Sequence, residues 1–383
     1  RGSFLVKFTA PLVEDVAALR PSDIINRVRS EVGAETSYMA AWRSRAANKK
    51  RKANEIDESY QRIKPLLDNL LIENPESIIS FEVDNENQFI RAFLCLWPWI
   101  KAAEYCRPVF TLDTCHSKSS YKGVYFGLSA IDGEGKLVPI AFAVCSVENS
   151  NNWMWFCENL HTALPIINTN ETVIISDREK GISDAVQAKL SNAFHAHCVW
   201  HIEKNVNTKF RTKLGGKIWA AAKALNAEDF DNIMEEISSL HIEAANYLRE
   251  IHSATWTLSK CPRNRFGHLT SNTSESFNSW LYNERLVEPF EAISLLVRKV
   301  NTLYYNQRMK YSSAVYQANE SIFEVRSENS NFRVVNLNAL TCSCQQFQEY
   351  RFPCTHACAA ILKARLQPSQ FVHITYHTTA LQN

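Results

Sequence analysis

The sequence predicts a mixed α/β protein: a sheet-containing core broken by an all-helical stretch, with helices before it and a small metal-stapled module after it. Three observations carry this. Short runs of β-branched and aromatic residues between 108 and 200 alternate with helical patterns. Residues 210 to 262 switch to an almost pure helical period, and four cysteines and a histidine crowd between 342 and 358. The chain of 383 residues has room for two or three cores. Its 45% hydrophobic and 21% charged residues fit a packed globule and exclude a disordered tail or a coiled coil. Forty-two Lys+Arg against forty Asp+Glu leave +2, so any basic surface must be local. The most apolar window, Phe93 to Ile100, holds Pro98 and is far shorter than the ~20 residues of a membrane helix. No membrane partner is expected. Seven cysteines (Cys95, Cys106, Cys115, Cys145, Cys157, Cys198, Cys261) lie at irregular spacings and read as reduced thiols. The start at Arg1-Gly2-Ser3, without methionine, reads as a piece of a longer protein.

The elements follow in order. Residues 21 to 52 read as two helices: Ser22 can cap the first, Ile24, Ile25, Val28 and Val32 repeat at helical spacing, and Gly33 sits where a left-handed residue ends a helix. Thr36 or Ser37 opens the second, whose apolar positions are Tyr38, Ala41, Trp42 and Ala46 and which runs into Arg43, Arg45, Lys49, Lys50, Arg51 and Lys52. That outline fits a helix-turn-helix DNA reader, a nuclear localisation patch, or a solvated helix end. Three antiparallel strands come next: Pro108 to Leu112, Gly123 to Ala130, and Leu137 to Val147 after the turn Asp132-Gly133-Glu134-Gly135. A helix from Asn152 to Leu164 presents Trp153, Phe156, Leu160 and Leu164. Thr172 to Ser176 is a buried strand, Gly181 to Leu190 a helix, and Ala193 to Trp200 a fifth strand before a helix from His201. The order β-β-β-α-β-α-β-α is that of a ribonuclease-H-like domain. The helical stretch then shows Ile218, Ala221, Ala222 and Leu225, next Phe230, Ile233, Ile237 and Leu240, and last Ala244, Tyr247, Leu248 and Ile251. The cluster Thr270 to Ser274 caps a helix start that carries Glu275, a further helix spans Pro289 to Tyr311, and strands at 323–326 and 332–337 precede the Cys/His cluster.

Asp113 and Asp177 each stand one residue past a run of buried-strand residues, where neighbouring strand ends converge and two acids can share a divalent cation. A pair of cations needs a third acid. Glu275 and Glu203 both qualify, whereas Asp132 and Glu134 are explained by a turn, Asp184 by an exposed helix face and Glu148 by a loop. Cys198 and His201, spaced C-x-x-H and preceded by His195 and His197, supply two metal-ligating side chains. Two cannot close a tetrahedral site, so the pair reads either as a partial metal site or as a buried, site-shaping contact.

Cys342-Ser343-Cys344, nine residues, then Cys354-Thr355-His356 gives C-x-C-x9-C-x-H. Three thiolates and an imidazole fill a four-coordinate zinc site with no open position, which points to one structural Zn2+. Cys358 falls inside the following helix, Ala357 to Ala364, and reads as a small apolar residue.

The stretch Tyr105 to Lys118, with Pro139 to Ala143 and Asn152 to Phe156, resembles the transposases of Mutator-like elements. Ile175-Ser176-Asp177-Arg178-Glu179-Lys180-Gly181-Ile182, Cys198-Val199-Trp200-His201-Ile202-Glu203-Lys204-Asn205 and Ser271 to Asn278 continue the likeness, which runs from about residue 20 to 365. The C-terminal cluster resembles a SWIM-type zinc finger, with Phe347 in the region of its aromatic and Arg351-Phe352 where a glycine is common. The resemblance implies a DDE catalytic core in which Asp113, Asp177 and Glu275 hold two Mg2+ or Mn2+ ions, which favours Glu275 over Glu203. It implies DNA strand cleavage and transfer at terminal inverted repeats and target DNA, a homo-oligomer on DNA and a nuclear location. A domesticated, zinc-binding transcription regulator that binds DNA without catalysis is the alternative. The expected divisions are an N-terminal helical region (1–75), the first part of the core (76–209), the helical insertion (210–268), core completion (269–320), the finger (321–366) and a tail (367–383).

Overall fold

A computed structural model describes residues 20–119, 122–133, 135–271, 279–312, 315–326 and 332–372. The side chains of residues 49–58, which include Lys49, Lys50, Arg51 and Lys52, lie outside the described set, as does Glu275. The chain divides into two units, Arg1–Leu296 and Val297–Asn383.

In the first unit, helix α1 (Pro21–Val32) starts from Arg20 with Pro21 at its first position rather than from Ser22; the Asp23 carboxylate accepts the Arg20 backbone N–H at 3.0 Å. Gly33 ends it at φ 66°, a conformation that glycine adopts without a Cβ clash. Helix α2 (Tyr38–Glu73) is capped by Ser37, whose Oγ accepts the Ala40 N–H at 3.2 Å. It is one helix of 36 residues that runs through Pro65, much longer than the basic helix expected from the sequence. Ala41 is buried, but Tyr38 and Trp42 are exposed, so only part of the anticipated apolar face packs. The far end of α2 lies on the core: Ile63 and Leu67 are buried, Tyr60 stacks on Phe89, and Ser59 accepts the Phe290 N–H.

Two strands unforeseen in the sequence, β1 (Ile78–Val83) and β2 (Phe89–Cys95), form a hairpin that extends the sheet. After α3 (Trp97–Ala103) come β3 (Arg107–His116), β4 (Val124–Ile131) and β5 (Leu137–Cys145), then α4 (Ser150–Ala163), β6 (Val173–Ser176), α5 (Lys180–Lys189), β7 (Phe194–His197) and α6 (Val199–Phe210). The seven strands lie in the order β1-β2-β5-β4-β3-β6-β7, antiparallel up to β3 and parallel from β3 through β6 to β7. β3 continues three residues beyond Asp113, so this acid lies within a strand and not past its end. One face of the sheet buries Phe93, Phe126, Trp153 and Phe156 in a set of mostly edge-on and tilted ring contacts, with the Phe126 and Trp153 centroids 4.6 Å apart. The other face buries Val109, Val173, Ile175, Ala196 and Cys198.

Helices α7 (Gly215–Lys223), α8 (Ala227–Leu240) and α9 (Ile242–Glu250) form the helical stretch and pack on α6 through Ile218, Phe230, Met234, Ile237, Leu248 and Trp256. Leu225 and Leu240, expected on their inner faces, point to solvent. The chain returns over β6 and β7, where the Arg263 guanidinium donates to the carbonyls of Thr172 and Asn192, and passes α6, where the Val199 N–H donates to the Leu269 carbonyl. Helix α10 (Pro289–Ser312) runs across the division between the units.

The second unit holds a four-stranded antiparallel sheet of β8 (Val315–Gln317), β9 (Ile322–Arg326), β10 (Phe332–Asn336) and β11 (Thr341–Cys342), ordered β11-β10-β9-β8. The short α11 (Gln346–Tyr350) and α12 (Thr355–Lys363) close a core of Phe323, Val325, Val335, Phe347, Ala360 and Ile361. Among the described residues no helix is long and apolar enough to cross a membrane, and no disulfide is formed.

Replacing Trp153 with alanine removes the largest ring from the α4–sheet contact and should cost about 3–5 kcal/mol of stability, read from urea unfolding; a loss below about 1 kcal/mol would mean that this contact does not hold α4 to the sheet.

Candidate active site and metal centre

Strand register positions the acids. Thr111 of β3 pairs with Ile175 of β6, which pairs with Ala196 of β7. Two residues further along each chain come Asp113, Asp177 and Cys198, on the same side of the sheet as Val109, Val173, Ile175 and Ala196 because side chains alternate with period two. Neighbouring strands are about 4.8 Å apart, so the three side chains form a short cross-strand row. Backbone bonds hold its far end: the Cys198 N–H donates to the Ser176 carbonyl at 2.7 Å. Of the sequence-derived pair, Asp113 and Asp177 are brought together.

The row is electrostatically loaded. Burial pushes the Asp113 carboxyl up to about 7; the Thr114 N–H and His201 favour its charged form, while Cys198 and Asp177 oppose it. Asp177 accepts the Glu179 N–H at 3.1 Å. Burial raises the Cys198 thiol, but the His201 imidazole and the Ser271 and Thr270 hydroxyls facing the sulfur outweigh this and bring it down to about 6. Burial lowers His201, yet Cys198, Asp177 and Asp113 together hold it above the ordinary histidine range. The C-x-x-H pair is therefore one charged contact beside the acids. His195 and His197 belong to alternate positions of β7, on the face opposite Cys198; His195 Nε2 lies 2.7 Å from Ser176 Oγ, and burial lowers the two rings to about 4 and about 3.

Glu148, read from the sequence as a loop acid, comes within electrostatic reach of Asp177. Its Oε1 accepts from Thr114 Oγ1 at 3.1 Å and Trp153 Nε1 at 3.3 Å, and burial first, then Asp177, raises its pKa. Nothing in its local sequence marked it, because its partners lie 34 and 5 residues away. Glu203 turns elsewhere: its carboxylate accepts Trp219 Nε1 at 2.6 Å and Asn207 Nδ2 at 3.3 Å. On one side of 272–278 the described chain lies by this site, and on the other it meets the end of β3. Ser271 faces Cys198, while the Arg285 carbonyl accepts the Lys118 N–H at 2.7 Å and its Nε donates to the His116 carbonyl.

The second centre lies in the C-terminal unit. The ligand atoms of Cys342, Cys344, Cys354 and His356 all fall within 4.8 Å of one another, the geometry of a structural Zn2+ site. Cys342 comes from β11 and Cys354 caps α12, accepting the Ala357 N–H. Gln348 fixes the knuckle by accepting the Cys342 N–H at 2.9 Å and donating to its carbonyl at 3.1 Å. Hydrogen bonding from Cys342, with further help from Cys344 and His356, lowers the Cys354 thiol and favours the thiolate that a metal needs. Arg351 takes φ 53°, the left-handed conformation for which glycine is suited, and the four ligands converge all the same. The Cys358 thiol faces the Pro353 carbonyl outside this set. On α2, Arg43 is exposed and Arg45 half-buried.

Residues 109–205 match the MULE transposase domain, and residues 329–365 match the SWIM zinc finger. The first span contains Asp113, Asp177, Cys198 and His201, and the second contains all four zinc ligands. No curated protein matches the chain.

In divalent-free buffer, ionising Asp113 should destabilise the fold, because its folded pKa of about 7 lies above the ordinary 3.8. The folded state then holds more protons than the unfolded state between these values, so this contribution falls as pH rises from about 4 to about 7. Asp113→Asn should gain stability over wild type across that window and hold the gain above it; a difference between the two melting curves that stays flat with pH would remove the burial argument. Cys354→Ser should lower bound zinc from about one per chain towards zero and unfold the second unit, as read by metal analysis and proteolysis, whereas unchanged zinc would exclude Cys354 as a ligand.

Proposed function

We propose that this chain, which carries a MULE transposase domain and a zinc-binding SWIM finger, is a DNA transposase whose acid row cuts and joins DNA strands. The observation that carries the reading is the register that puts Asp113 and Asp177 side by side on parallel strands, beside a buried thiol–imidazole contact. The strand order β5-β4-β3-β6-β7, three antiparallel and two parallel, supports a ribonuclease-H-like core with α7 to α9 as its insertion.

Asp113 and Asp177 suit a divalent cation because burial and like charge leave Asp113 poorly compensated as a carboxylate. Such an ion would be Mg2+ or Mn2+, and bound there it would supply an activated oxygen nucleophile and stabilise the leaving oxygen of a phosphodiester. Glu275 is our third acid: Ser271 is four residues before it, a reach of about 14 Å when extended, and Ser271 faces Cys198 at the end of the row. The chain's own contributions are orientation and charge. Thr114 and Trp153 hold Glu148 within electrostatic reach of Asp177, and His201 offsets part of the acids' negative charge. The DNA substrate, terminal repeats with target duplex, a homo-oligomer on DNA and a nuclear site of action belong to the same reading, as do phosphate contacts from Arg43, Arg45, Lys49, Lys50, Arg51 and Lys52.

Asp177→Asn should lower Mg2+- or Mn2+-dependent nicking of duplexes bearing the repeats that flank the gene by at least about 100-fold, with DNA affinity and the melting temperature little changed. Nicking that persists in Asp177→Asn, or that needs no divalent ion in wild type, would overturn the assignment.

A further inference from the structure

The first turn of α6 carries a side chain that the acid row does not use. Trp200 is 37% exposed although its neighbours Val199 and Ile202 are fully buried, so a large ring is held at the surface by a rigid helix start. Its centroid is 4.7 Å from that of His201, edge-on at 80°, and His201 in turn responds to Asp113 and Asp177. One turn later Lys204 holds its ammonium 5.0 Å from the indole centroid. The helical neighbours at i+3 and i+4 are therefore Glu203 and Lys204, not further apolar residues.

We propose that Trp200 is a stacking platform for a nucleobase of the DNA strand whose phosphodiester is presented to Asp113 and Asp177. The inference rests on the transposase reading and names how that site holds its substrate. A strand that leaves regular duplex geometry as its phosphate meets the half-buried acids unstacks a base next to it. An indole face replaces the lost stacking with any of the four bases, and the adjacent lysine meets the sugar–phosphate chain. A protein partner would call for a contiguous apolar patch, and a lone ring flanked by a lysine and a glutamate does not provide one.

The test uses the full chain and a forked DNA duplex with 2-aminopurine at the first unpaired position, bound in Ca2+. Wild type should quench the 2-aminopurine emission; Trp200→Leu should lose the quench and bind about 10-fold more weakly, and Trp200→Phe should keep most of both. An abasic residue in place of 2-aminopurine should weaken wild type by a similar factor and Trp200→Leu hardly further, a comparison that decides the matter with wild type alone if the leucine variant does not fold. Equal wild-type affinity for the abasic and intact forks overturns the proposal. If cutting of the fork in Mg2+ still requires Asp113 in that case, the nuclease reading stands without the stacking contact. A quench that depends on Trp200 while cutting ignores Asp113 gives the reverse result, and a wild type that does not bind the fork overturns both.

Discussion

The parallel pairing of β3, β6 and β7 is the constraint on which the rest of the first unit depends. Each of the three strands supplies one member of the row Asp113, Asp177 and Cys198, and a one-residue slip in either pairing would move a side chain to the opposite face. The register is fixed from both sides of the sheet. Val109, Val173, Ile175 and Ala196 are fully buried behind the row, while Trp153 and Phe156 press on the other face. Hydrophobic packing thus sets a position that the two acids would resist when both are ionised, since like charges repel at this spacing.

That repulsion explains the company the row keeps. His201 stands at the third position of α6 and its helix starts directly after Cys198, so the same turn supplies both the sulfur and the imidazole that faces it. The returning segment adds hydroxyls from Thr270 and Ser271, brought alongside by the backbone bond between Val199 and Leu269. The helices between α6 and that segment leave the site in place: α7 to α9 share one core with α6 that includes Ile218 and Trp256, and the chain then returns to the start of α6.

Much of this was legible in the sequence because it is local. The β-branched runs, the Ser37 cap, the left-handed Gly33 and the spacing C-x-C-x9-C-x-H each depend on a few adjacent residues. What escaped was long-range. The β1–β2 hairpin is half-exposed on β1, with Glu82 and Arg91 paired across it, and its apolar residues, Ile79, Phe81, Phe93 and Leu94 among them, were not read as strands. Glu148 looked like a loop acid because its partners are a threonine on β3 and an indole on α4. Glu203 looked available until Trp219 of the insertion claimed its carboxylate. In the finger, the absence of glycine near Arg351 suggested an altered loop, and the structure accommodates it by placing arginine in the left-handed region. Whether Glu275 completes the acid row lies outside the described residues, and the basic run from Lys49 to Lys52 does so as well for its side chains.

The two centres use charge in opposite ways. In the finger, thiolates are gathered around a position that one zinc fills, so metal binding there is part of folding and the site has no vacancy for chemistry. In the acid row, packing sets the place: one hydrophobic face of the sheet holds Asp113 where its ionised form is disfavoured. The strain of that arrangement is carried by packing and is released only when positive charge arrives. On the transposase reading proposed above, a divalent ion at this place would offset that cost. The sheet is stable enough to keep its acids uncomfortable, and this is the condition under which a buried carboxylate serves binding instead of structure.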